Sequence, residues 1–90
     1  MVNQTLGELK HVMKYYISKP KTHKLDELLV SGIKESDPEA IFVESLEKSD
    51  ICVFQKGWTR SEQCVTDYKN AWLYKIKRYD SHFYTEKMFN

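Results

Sequence analysis

Ile51-Cys52-Val53-Phe54 is the stretch on which the fold turns. Four apolar residues in succession, two β-branched and one aromatic, lie between Ser49-Asp50 and Gln55-Lys56-Gly57. Such a run reads as a strand buried on both faces, of the kind found in the middle of a parallel sheet. A strand covered on both faces needs helices on both faces, and the flanking sequence is expected to supply them. Upstream, Lys14-Tyr15-Tyr16-Ile17-Ser18 is aromatic and β-branched, and must end before Pro20 removes a backbone donor; it reads as the first strand.

Between these strands, Leu25, Leu28, Leu29 and Ile33 recur at i, i+3, i+4 and i+8 and predict a helix from His23 to about Lys34. Asp26 and Glu27 in its first turn suit the helix dipole. Glu35-Ser36-Asp37-Pro38-Glu39 reads as a break and a restart, with Asp37 as cap and Pro38 at the first helical position. A second helix is therefore expected as far as about Lys48, with Ile41, Phe42 and Leu46 facing inward.

Downstream of the central strand, Gln55 to Ser61 is a loop with Gly57 as its pivot and Ser61 as a helix cap. The helix that follows carries Val65, Tyr68, Trp72 and Ile76 at core spacing. Tyr79, Phe83, Tyr84, Met88 and Phe89 suit a last strand or an aromatic tail over residues 79–90. At the other end, Thr5-Leu6-Gly7-Glu8 has capping-box spacing and predicts a short helical extension within residues 1–13. The order strand, helix, helix, strand, helix gives an α/β class: a small three-layer domain with a short, mainly parallel sheet of three or four strands flanked by helices. Ligands of such sheets bind beyond the carboxyl ends of the strands, so the loops 18–23 and 55–61 are expected to share one crevice.

Composition narrows the function classes. Ninety residues, 41% apolar and 30% charged, fit a single folded domain over 1–90 and argue against global disorder. A domain this short hides a modest share of its surface, which leaves room for a homodimer. The net charge of +1 argues against a protein that coats duplex DNA and leaves small anionic ligands open. It conceals two basic knots, Lys19, Lys21, His23 and Lys24 in one and Lys75, Lys77 and Arg78 in the other. Cys52 and Cys64 imply no disulfide framework, and Cys52 sits where a thiol acts as a small hydrophobe. Neither a secretory signal pattern nor an apolar run near the ~20 residues of a membrane span is present, so a cytoplasmic location and no membrane partner are expected. His11, His23 and His82 have no metal-ligand spacing, no phosphate-binding glycine loop or Ser-His-Asp pattern is visible, and no cofactor is expected.

Two stretches resemble one family. Tyr16-Ile17-Ser18-Lys19-Pro20-Lys21-Thr22-His23 is similar to the opening Tyr-Ile-Ser-Gly-Pro-Met-Thr-Gly of small phage and bacterial domains in the nucleoside 2-deoxyribosyltransferase-like superfamily. Leu46 to Ser61 resembles that family's helix end, Asp-bearing turn, buried strand and Gly-Trp-x-x-Ser loop, in the right order. The resemblance spans roughly residues 14 to 75 and implies a nucleoside or nucleotide ligand held by Tyr16, Ser18, Lys19, Pro20, Lys21, Gly57, Trp58 and Ser61. The family's continuation places its glutamate nucleophile on Asp67, which implies that residue as the catalytic carboxylate of an N-glycosidase or deoxyribosyltransferase-like reaction. Asp67 shortens the reach by one methylene, Gln63 and Cys64 replace small residues, and Lys19 and His23 replace two glycines. Only about twenty residues separate the two motifs where the family has a further strand and helix, which implies the loss of one strand.

Each of these residues also has an ordinary structural reading. Asp67 can be a solvated carboxylate in the first or second turn of its helix, and Lys19, Lys21 and Lys24 an exposed basic loop rather than a phosphate clamp. Trp58 can stack on a base or lid the protein's own core, and Ser18 and Ser61 can bind ligand or cap. Two functions follow. The first is a nucleotide- or nucleoside-binding domain of transferase ancestry, with turnover left open. The second is a small phage-type regulatory or inhibitory protein that binds a host protein or nucleic acid through its aromatic and basic C-terminal region, with Trp58, Tyr79, Phe83 and Tyr84 as anchors beside Lys75, Lys77 and Arg78.

Overall fold

The computed structural model describes residues 11–83. The helical extension expected around Thr5 to Met13 falls largely outside them, as do Tyr84, Met88 and Phe89 of the aromatic tail. Within the described residues the elements are β1 (Lys14–Ser18), α1 (Glu27–Ser36), β2 (Ile41–Phe42), β3 (Ile51–Phe54), α2 (Glu62–Leu73) and β4 (Lys77–Asp80). Single 3-10 turns occupy Leu46–Lys48 and Trp58–Arg60. The four strands form one parallel sheet in the order β2-β1-β3-β4, the small three-layer α/β arrangement expected from the sequence.

Side chains alternate across each strand, and this alternation builds two cores. Tyr15, Ile51 and Val53 face one way and bury Leu29 and Ile33 of α1 with Ala40. Cys52 and Phe54 face the other way and pack with Leu46, Ala71 of α2 and Ile76. All four residues of β3 are buried, as the opening motif requires of a strand with a helix on each face. Full burial of Leu29 and Ile33 stabilises the fold by roughly 1.5–3 kcal/mol each. Leu25 and Leu28, from the same predicted stripe, stay about half exposed: Leu25 precedes α1, and Leu28 lies in its first turn, where Asp26 accepts from the backbone N–H groups of Leu28 and Leu29.

Two expectations are corrected. No helix runs from Pro38 to Lys48. Asp37 instead closes α1, donating its N–H to Ile33, and then anchors a turn by accepting from Ala40 N on its carbonyl and from Glu39 N on Oδ1. Asp-Pro serves a turn as readily as a helix start. Here the choice falls to pairing with β1: Ile41 N donates to Met13 O and Val43 N to Tyr15 O, making Ile41–Phe42 a strand. The segment between β1 and β3 thus carries a strand of two residues.

The second correction concerns α2, whose buried residues are Cys64, Asp67 and Ala71 rather than Val65, Tyr68 and Trp72. The helix is turned by one residue, about 100°, from the most apolar stripe. Small side chains let α2 lie close to the sheet, and the polar one among them finds partners on β1.

The strand order also fixes where a crevice opens. The chain leaves β1 for β2 on one side, then returns past β1 to place β3 on the other. The connections after β1 and β3 therefore diverge from neighbouring strands, which is the switch point at which doubly wound sheets bind ligands.

Candidate ligand-binding site

The two loops meet at that switch point. Around an open cleft of about 800 Å³, Pro20, Lys21, Thr22 and His23 from the turn after β1 face Lys56, Gly57, Thr59, Arg60 and Ser61 from the loop after β3, with Glu62 and Gln63 of α2 at the base of one wall.

Local chemistry holds each loop in place. His23 N donates to Pro20 O, closing a turn, and Lys19 Nζ reaches across it to His23 O at 2.9 Å. In the second loop Trp58 N donates to Gln55 O, and Gly57 has φ 94° and ψ −2°. Those angles are the third position of a type II turn, which an L side chain resists. A Cβ on Gly57 would also sit 3.2 Å from His23 Nε2, so glycine at this point lets the two loops touch. Ser61 then caps α2, its Oγ accepting from Cys64 N.

Gln55 ties the loops together. Its backbone N–H extends the β1–β3 pairing by donating to Ser18 O. Its buried side chain accepts from Asp26 N at 2.9 Å and donates to Lys24 O at 2.8 Å, so one amide spans from the end of β3 to the start of α1. From the sequence Gln55 reads only as part of the loop; its visible signal is a polar side chain directly after four apolar ones.

Asp67 lies one side chain away from the cleft. Gln63, which lines it, donates Nε2 to Asp67 Oδ1 at 3.3 Å. Asp67 Oδ2 accepts from Ser18 Oγ at 2.8 Å and Tyr16 OH at 3.5 Å. Asp67 is 6% exposed and Ser18 1%, so this cluster joins β1 to α2 in the interior. Burial, and next the Asp67 carboxylate, push the Tyr16 hydroxyl up to about 12, which keeps it a protonated donor. The Cys52 thiol is likewise pushed up to about 12, by burial first and then by Asp67 and Cys64, and is not a ready nucleophile.

The structure thus sorts the expected site residues into three groups. Pro20, Lys21, Gly57 and Ser61 line the cleft. Tyr16, Ser18 and Asp67 meet in the buried cluster behind Gln63. Lys19 straps its own turn, and Trp58 packs on the far side of its loop, against Phe54 and Tyr68, with Nε1 donating to Asp80. The cleft gains Lys56 and Arg60, which the sequence reading left unassigned; basic residues on both sides of a glycine pivot were their visible signal. Lys21, Lys56 and Arg60 face the single carboxylate Glu62, so the lining carries an excess of positive charge at the start of a twelve-residue helix.

Among the described residues no group of three or more His, Cys, Asp or Glu could hold a metal ion, and no helix is long and apolar enough to cross a membrane. Comparison with family models, with curated proteins and with solved structures returns no match.

Proposed function

We propose that this chain binds a phosphate-bearing nucleoside in the cleft at the β1/β3 switch point. One observation carries the reading: the loops after the two central strands converge on a single opening lined by Lys21, Lys56 and Arg60, with the start of α2 in its wall. Anionic groups suit that end of a helix, and cations in a crevice of a near-neutral protein concentrate attraction where a phosphate would sit. Residues 16–23 and 46–61, which resemble the deoxyribosyltransferase-like motifs, supply the two central strands and both loops.

Thermal shift tests binding. A deoxynucleoside monophosphate at a hundred times its dissociation constant stabilises the native state by about 2.7 kcal/mol, which raises Tm by roughly 10–20 °C for a domain of this size. The shift should exceed that given by inorganic phosphate and should collapse in Lys21→Ala/Arg60→Ala. Absence of any shift, or an equal one in the double variant, refutes the reading.

Turnover at Asp67 is a second, narrower reading, favoured by the carboxylate's position behind Gln63. Both carboxylate oxygens are engaged, so attack on an anomeric carbon requires Gln63 to swing aside first. Release of free base from deoxynucleosides that disappears in Asp67→Asn supports it, and release that survives the substitution rejects it.

A further inference from the structure

The opposite half of α2 carries a feature the cleft does not use. Trp72 is 64% exposed, in contrast to the core position its spacing suggested, and Tyr68 beside it is 38% exposed. Two adjoining depressions of about 610 and 540 Å³ share Trp72 and Arg78 and so form one groove between α2 and β4. Lys69 lies on one side of this pair of residues, and Lys75 and Lys77 on the other. Tyr68, in the groove wall, is held in place by stacking: Trp58 lies on its ring with centroids 5.2 Å apart, and the Arg78 guanidinium sits 4.5 Å from the centroid of the same ring. Asp80, the acid of β4, is occupied by Trp58 Nε1 and His82 N.

We propose that this groove binds a single-stranded polynucleotide. Four cations along a groove match a line of phosphates, while the exposed Trp72 indole offers a face on which an unpaired base stacks. A duplex hides its base faces and would gain only the charge term. The inference stands on residues separate from the cleft and does not depend on it.

Fluorescence anisotropy with a labelled twelve-nucleotide oligo(dT) tests it. The intact protein is expected to bind this probe at least tenfold more tightly than a duplex of equal length, with a log-log salt slope of about −2 if three phosphates are neutralised. Trp72→Ala should weaken binding about tenfold or more through lost stacking. Because Trp72 is mostly exposed, its Tm should hold, and so should the nucleotide-induced thermal shift if the cleft binds as proposed. Lys75→Gly should relieve backbone strain at φ 60° and raise Tm while reducing the slope by about 0.7, so weaker binding there could not be ascribed to unfolding. Failure to bind the oligonucleotide, equal binding of duplex, or indifference to Trp72→Ala overturns the proposal. So does a concentration-dependent dimer dissociated by Trp72→Ala, which would assign the face to a second copy of the chain.

Discussion

Removing the Gln55 side chain should loosen the cleft more than its loop position suggests. Gln55→Ala leaves two backbone groups, Asp26 N–H and Lys24 C=O, without the bonds they make at 2.9 and 2.8 Å. A buried group left unsatisfied costs about 1–3 kcal/mol, and these two are only part-buried, so the low end applies and the sum is about 2–3 kcal/mol. For a domain of this size that lowers Tm by roughly 8–24 °C. Gln55→Glu separates the two bonds, since a carboxylate can accept from Asp26 N but cannot donate to Lys24 O. Facing a carbonyl in a buried site, the introduced carboxyl has a raised pKa in the folded state. Its favourable contribution is therefore fully present below the unfolded value of about 4.3 and is lost as pH rises through the folded one. Melting followed by circular dichroism at pH 4 and pH 7 should show the gap between Gln55→Glu and the parent protein narrowing at the lower pH. A Gln55→Ala protein melting within 2 °C of the parent would refute the reasoning, because the two loops would then hold their positions unaided.

Other consequences follow from the same geometry. Gly57→Ala forces an L side chain into φ 94° with its Cβ 3.2 Å from His23 Nε2, and should lower stability by about 1–2 kcal/mol in urea melts while weakening nucleotide binding. Asp67→Ala strips the buried Ser18 hydroxyl of its acceptor and should cost about 1–3 kcal/mol, whereas Asp67→Asn keeps the shape and an acceptor oxygen and should cost less, a ranking that the same melts check. Lys75→Gly acts in the opposite sense. Lys75 sits at the left-handed position of a Schellman cap, with Ile76 N bonding Ala71 O and Lys75 N bonding Trp72 O, so glycine there should add about 0.5–1 kcal/mol. Alkaline titration should expose the buried acids. Cys52 and Tyr16 are raised from 9.0 and 10.0 to about 12, so the folded state holds protons the unfolded chain has released, and Tm should fall between about pH 9 and 12. At the acid end Asp50 works the other way. Burial would raise its carboxyl, but bonds from Lys14 N and His11 outweigh that and hold it low, so its contribution is present above the ordinary value of 3.8 and fades as pH falls through the folded one.

Residues that act with their sequence neighbours were legible in the chain. The buried run Ile51 to Phe54 and the aromatic run Lys14 to Ser18 declare their strands because period and apolarity are local properties, and so does the Ser61 cap. From these the parallel α/β class and the expectation of a crevice at the strand ends follow. The sequence placed the first strand, the buried strand, the glycine pivot and the helix beyond it. It could not decide between helix and strand for Ile41–Phe42, since Asp37-Pro38 permits both and the hydrogen bonds that decide come from Met13 and Tyr15. Nor could it rotate α2 correctly. Apolarity points to the Tyr68 and Trp72 stripe, but Asp67 can be buried because a hydroxyl 49 positions earlier lies 2.8 Å away. The aim of Trp58 depends in the same way on Phe54, Tyr68 and Asp80, brought together by three separate elements. Burial of a polar group is decided by whether a partner awaits it, and for Asp67 and Gln55 those partners are near in space and distant along the chain.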